Sequence, residues 1–208
     1  MNNEELISIK NSWESRSDAE NTKINIDWLK NNLVEFNTSS FMNYNCLFSH
    51  VPKSAGTSFD RFLAQFFELK DILHVNAPDL NKLPQVLNLK NNFPKLISGH
   101  HPIHGLLYQL LPNESYIHLS MMREPVSRVV SYYNYISTRE YHTLHKHVKD
   151  LGFDEFITGD LVEINNGQSR RFAGTLHSNS PITDNELYFQ AKNVVDNCFT
   201  IVGVTDEL

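Results

Sequence analysis

The chain alternates between short, nearly continuous apolar runs and longer segments whose apolar residues recur every third or fourth position. Cys46–Val51, Asp71–Val75, Lys95–Ser98, Tyr116–Met122 and Phe199–Val204 are runs of the first kind, and each reads as a short buried strand. Between them the period changes. Phe59, Phe62, Leu63, Phe66 and Phe67 fall at i, i+3, i+4, i+7 and i+8, one face of a helix. Leu80–Leu89 has helical spacing, with Asp79 able to cap it after Pro78, and Ile103–Leu111 reads as a helix ended by Pro112. Val126, Val129, Val130, Tyr133 and Ile136 resume the spacing behind Pro125, which a helix tolerates in its first turn. Phe153–Thr158 and Asn185–Asn197 are further helices, and Arg139–Asp150 reads as a helix or a covering loop. Asn165–Gly174 is expected to be a polar turn running into a basic segment. Strands alternating with helices predict parallel pairing, an α/β sheet covered on both faces.

Residues 1–43 are polar and asparagine-rich, with scattered apolar positions that allow one amphipathic helix around Trp28, Leu29 and Leu33. They read as a helical arm or cap whose first part is a candidate for disorder. Residues 44–208 then form one domain, since no internal repeat or low-complexity linker divides them.

Open α/β sheets take ligands at the carboxyl ends of their strands. Lys53, His100 and Arg123 each lie just past a predicted strand. After Val51, Pro52 stops the ladder and Lys53-Ser54-Ala55-Gly56-Thr57-Ser58 supplies one cation, small residues and two hydroxyls ahead of a helix. Strand, tight turn and helix start point successive backbone N–H groups at an anion. Lys53 adds a full charge, and Thr57 and Ser58 add donors, so the stretch reads as a phosphate- or sulfate-binding loop. An ordinary strand-to-helix turn with a solvated lysine stays open on this motif alone. A nucleotide triphosphate loop carries G-K-[ST], and no such triplet occurs.

Composition narrows the partners. At 208 residues, 40% hydrophobic and 20% charged, the chain suits one sizeable core. A net charge of −6 argues against nucleic acid as the main partner. Cys46 and Cys198 sit in apolar runs and read as buried free thiols. No apolar run approaches membrane-spanning length and the N-terminus lacks a signal-peptide core, so a cytoplasmic protein or a trimmed chain is expected.

The order Pro52-Lys53-x-x-Gly56-Thr57-Ser58 after a strand resembles the 5′-phosphosulfate loop of sulfotransferases that use PAPS, 3′-phosphoadenosine 5′-phosphosulfate. Met121–Tyr133 resembles their 3′-phosphate segment, R-[DE]-P-x-x-R-x-x-S-x-Y, through Arg123, Glu124, Pro125, Arg128, Ser131 and Tyr133. Ile97-Ser98-Gly99-His100, Asn166-Gly167-Gln168-Ser169-Arg170 and Phe199–Glu207 resemble segments of the heparan sulfate and uronyl 2-O-sulfotransferase branch, with Asp206 as an acidic variant in the last. The resemblance covers Cys46 to Leu208. It implies a P-loop-like three-layer α/β fold, a central parallel sheet flanked by helices. It implies transfer of a sulfuryl group from PAPS to a carbohydrate hydroxyl. Family members continue past the last strand with more helix, so the chain is expected to be truncated at its C-terminus.

In that scheme His100 is the general base, a role typically worth ~10²–10⁴ in rate. His101 could carry it if the loop turns differently, and either histidine could instead be a structural cap on Pro102. Lys53 stabilises the bridging oxygen of the leaving PAP, and Ser54, Ala55, Gly56, Thr57 and Ser58 hold the donor with Arg123 and Ser131. His101 and Arg170 are candidate acceptor contacts, Arg170 and Arg171 could together grip an acidic acceptor or the cofactor or form a solvated basic turn, and no metal is required. His142, His145 and His147 have metal-like spacing but no supporting cysteine or carboxylate, and read as solvated or substrate-facing. A kinase, or a non-catalytic nucleotide-binding protein on the same fold, are the competing readings.

Overall fold

The computed structural model of the chain describes residues 2–35, 44–76, 82–89, 93–176 and 182–205. Five strands, β1 (Asn45–Ser49), β2 (Ile72–Val75), β3 (Leu96–Gly99), β4 (Tyr116–Met122) and β5 (Ile201–Val204), form one sheet in the order β2-β3-β1-β4-β5. Every pairing is parallel, with Phe48 opposite both Ser98 and Leu119. β1 is central: the chain crosses from it to the edge strand β2, returns through β3 and then passes over β1 to β4 and β5. That switch opens a crevice at the carboxyl ends of these strands.

Alternation along β1 divides the core. Leu47 and Ile97 face a thick helical layer, while Cys46, Phe48, Leu96 and Ile117 face α3 (Gly56–Ala64) through the fully buried Leu63. The aromatic face of α3 is only partly used: Phe59 and Phe67 pack, whereas Phe62 remains 51% exposed. The helical layer is built from α1 (Asn3–Glu14), α2 (Asp18–Asn32), α4 (Leu83–Leu89), α5 (Leu107–Leu110), α8 (Gly167–Ala173) and α9 (Asp184–Cys198). α6 (Pro125–Thr138) and α7 (His145–Thr158), the latter interrupted at Gly152, enclose a smaller cluster of Ile136, Val148 and Phe156.

Several elements depart from the sequence pattern. Two N-terminal helices form where one was expected. The polar start is ordered by a capping box between Asn2 and Glu5 and by burial of Leu6. Leu29 is buried in the same core, and Val34 N–H donates to Tyr116 O, so these helices are part of the domain's packing. The expected helix Ile103–Leu111 shrinks to one turn. Asn25 Nδ2 donates to Ile103 O and Gly105 O, and Trp13 Nε1 to His104 O, so side chains occupy carbonyls a longer helix would need. The expected turn at Asn165–Gly174 is helical over α8, anchored by Phe172 on Phe199. Phe36, Pro78, Asp79, Leu80 and Asp206 lie outside the described residues. Among the described residues, no helix is long and apolar enough to cross a membrane.

Candidate active site

The loop after β1 holds two non-glycine residues in the left-handed region, Lys53 (φ 70°) and Ala55 (φ 52°). Such conformations cost of order 1–3 kcal/mol each and persist only where surroundings enforce them. Three tethers do so. Arg128 Nε donates to Pro52 O at 3.1 Å, Arg123 Nη1 to Lys53 O at 3.4 Å, and Ser54 Oγ to Gln168 Oε1 at 3.2 Å. Gly56 is required by close approach, since a Cβ there would lie 1.8 Å from the His50 ring. At the start of α3, Ser58 N–H turns back to Ala55 O, which leaves Gly56 and Thr57 N–H as the open donors of the first turn.

Arg123 directly follows β4, and Ser131 lies two turns into α6. Gln168 from α8 clasps the Arg123 backbone: Arg123 N–H donates to Oε1 at 3.0 Å and Nε2 donates to Arg123 O at 2.8 Å. Glu124 is the N-cap of α6, accepting from Val126 N and Ser127 N, so it holds the helix rather than a ligand. The loop and the Arg123–Ser131 segment enclose one cleft of about 440 Å³. Lys53, Ala55, Gly56, Thr57 and Ser58 line it on one side and Arg123 and Ser131 on the other. Ser54 does not. Its side chain is fully buried beneath the loop, where it serves the Gln168 tether. His50 and Thr205 also line the cleft, and neither was singled out from the sequence. Arg123 Nε and Thr205 Oγ1 are buried without hydrogen-bond partners.

The cleft is electropositive. Burial first, then Arg123 and Arg139, push the Lys53 ammonium below the ordinary lysine pKa. Lys53 Nζ rests 4.1 Å from the centre of the Tyr135 ring.

His100 follows Gly99, whose φ of 137° and whose hypothetical Cβ, 1.9 Å from Val75 O, exclude a larger residue. The same Val75 O accepts His100 N–H at 2.9 Å. His100 Nδ1 lies 2.8 Å from His50 O and must donate to it, so Nε2 keeps its lone pair. Burial lowers the His100 pKa against the pull of that hydrogen bond, and the ring is neutral at pH 7. The His50 ring stacks on it at 4.4 Å, and burial, then His100 and Arg171, push His50 down to about 4.

His101 goes the other way. It is 4% exposed, because consecutive residues on extended chain point to opposite sides. Its Nε2 donates to Phe48 O at 3.1 Å, leaving Nδ1 to accept from Tyr108 OH at 3.1 Å. Ser49 Oγ completes the cluster at 2.8 Å from His118 Nε2, whose Nδ1 donates to Cys198 O. Two acceptor nitrogens meet two hydroxyls in a closed network. His101 thus spends its ring nitrogens in this network and is not among the residues lining the Lys53 cleft, while it borders a small cavity with His50 and His100.

A similar exchange occurs on α8. Arg170 Nε donates to Asn165 O at 2.9 Å and does not enter the cleft. Arg171 reaches a small cavity shared with His50 and His100. Glu163 pairs with Arg171 and with the buried Arg128, whose Nη2 lies 2.6 Å from Glu163 Oε2. With the segment read as a turn, the inward face shared by Gln168, Arg171 and Phe172 could not be assigned. Among the described residues no cluster of metal-ligating side chains forms; His145 Nδ1 bonds Ile136 O, and His142 Nδ1 accepts from Leu144 N–H.

No curated protein matches the chain. A family model described as "Sulfotransferase family" matches residues 38–198, a span from before β1 to the end of α9 that holds the loop, His100, Arg123, Ser131 and Gln168. That match covers well over half of the 208 residues, and the chain belongs to the sulfotransferase family.

Proposed function

We propose that the protein transfers the sulfuryl group of PAPS to a carbohydrate hydroxyl, releasing PAP. The observation that carries this reading is the single cleft of about 440 Å³ lined by both the Lys53 loop and the Arg123–Ser131 segment. A ligand with two separate anionic ends suits such a pair of sites, and the volume lies in the small-molecule range. The unpartnered Arg123 Nε and Thr205 Oγ1 are polar groups that a bound ligand could satisfy. Lys53 and the open N–H groups of Gly56 and Thr57 hold the sulfuryl end, and charge on the departing bridging oxygen is stabilised by Lys53. Arg123 and Ser131 hold the 3′-phosphate. His100 Nε2, unprotonated and fixed in tautomer, takes the acceptor's hydroxyl proton as the O–S bond forms. The carbohydrate acceptor rests on the resemblance of the His100 and Gln168 segments to the 2-O-sulfotransferase branch.

The test is a thermal shift with PAP, 5′-AMP and ATP with magnesium. PAP at 100 times its dissociation constant should add about 2.7 kcal/mol, with little effect from 5′-AMP. Stabilisation by ATP and none by PAP would overturn the donor assignment.

A further inference from the structure

Lys53 has no ion-pair partner among the described residues. The charged groups facing it are Arg123 from the end of β4 and Arg139 from just beyond α6, both of its own sign. The titratable His50 beside it is neutral at pH 7. Among the described residues its cation–π contact is the face of Tyr135, 4.1 Å from Nζ to the ring centre. Tyr135 stands four residues after Ser131 on α6, so both residues present to the same side of that helix. Its ring also meets His142 edge-on, with ring centres 5.7 Å apart, and carries the Arg139 guanidinium 5.9 Å from its centre.

We propose that Tyr135 is a positioning residue for Lys53, its ring holding the ammonium charged and beside the cleft without neutralising it. The proposal rests on the reading of Lys53 as the group that meets the donor's bridging oxygen. A carboxylate would grip the lysine more firmly. It would also cancel the charge and compete with the donor's anionic oxygens for it. An aromatic face attracts a cation through its quadrupole and leaves the net charge at +1. The ring therefore offsets repulsion from Arg123 and Arg139 while the cation stays available to an incoming anion.

The test is calorimetric binding of PAP from pH 7 to 10 by the wild type and by Tyr135→Phe, Tyr135→Leu and Tyr135→Trp. Tyr135→Phe and Tyr135→Trp keep an aromatic face and should follow the wild type. Tyr135→Leu should bind PAP about fivefold more weakly at pH 7. Its alkaline loss of affinity should also begin at lower pH, because Lys53 then gives up its proton more readily. Loss of a merely structural contact would lower affinity evenly and leave that limb in place. An unchanged alkaline limb in Tyr135→Leu overturns the proposal, as does an equal shift in Tyr135→Phe, which would assign the effect to the Tyr135 hydroxyl. Tyr135→Met replaces the leucine variant if that fails to fold. Failure of the wild type to bind PAP at any pH would instead defeat the donor reading, and this proposal with it.

Discussion

Replacing Gln168 by leucine should part the two segments that line the cleft. Gln168 is 8% exposed, and its amide meets three groups: Arg123 N–H, Arg123 C=O and the Ser54 hydroxyl. Leucine fills similar space and satisfies none of them. A buried polar group left unpaired costs about 1–3 kcal/mol. Ser54 is fully enclosed and bears the whole penalty, while the half-buried Arg123 backbone regains part of its loss through water. The expected destabilisation is therefore about 2–4 kcal/mol, below the simple sum. Denaturant unfolding followed by circular dichroism measures it as a lower midpoint at unchanged slope. PAP affinity should fall about tenfold, equivalent to about 1.4 kcal/mol, because Arg123 is no longer registered against the loop. Gln168→Glu keeps an acceptor for both donors but turns a carboxylate toward Arg123 O. It should be intermediate in stability and weaker in anion binding. A leucine variant within 0.5 kcal/mol of wild type, with unaltered PAP affinity, would refute the clasp.

His100→Ala should lower sulfuryl transfer by ~10²–10⁴ yet leave PAP binding nearly intact, and near-normal turnover would place the base elsewhere. Glu163→Gln should destabilise the fold by about 3–5 kcal/mol, since it leaves the Arg128 charge, 2% exposed, without its carboxylate; a loss below 1 kcal/mol in denaturation would refute that role. Stability should also fall in acid. Burial holds His101 at about 4 and His118 at about 3, against 6.5 in the unfolded chain, so below pH 6.5 the unfolded state binds protons that the native state refuses. The loss should accumulate between pH 6.5 and 4 at roughly 1.4 kcal/mol per pH unit for each histidine, with a plateau above pH 7. A flat denaturation midpoint across that window would contradict the neutral buried network.

Periodicity determined much of this protein. Apolar runs located β1, β3 and β4 to within two residues, because a strand buried on both faces leaves no polar position inside it. The small-residue turn after β1 and the arginine after β4 were legible for the same local reason, since left-handed backbone and a helix N-terminus depend on a few adjacent residues. The choice between neighbours was not legible. His100 turns its ring onto His50, beside the cleft, and His101 into the Ser49–Tyr108–His118 network, because Gly99 takes a positive φ and Val75, from another strand, accepts the next N–H. Arg171 rather than Arg170 reaches the His50–His100 cavity because α8 packs Phe172 on Phe199. Gln168 becomes a clasp only when α8 is laid across the ends of β1 and β4. Each of these is a rotation of less than one helical turn or one strand residue, too small for local pattern to set. Contacts between residues 25 to 114 positions apart decide it.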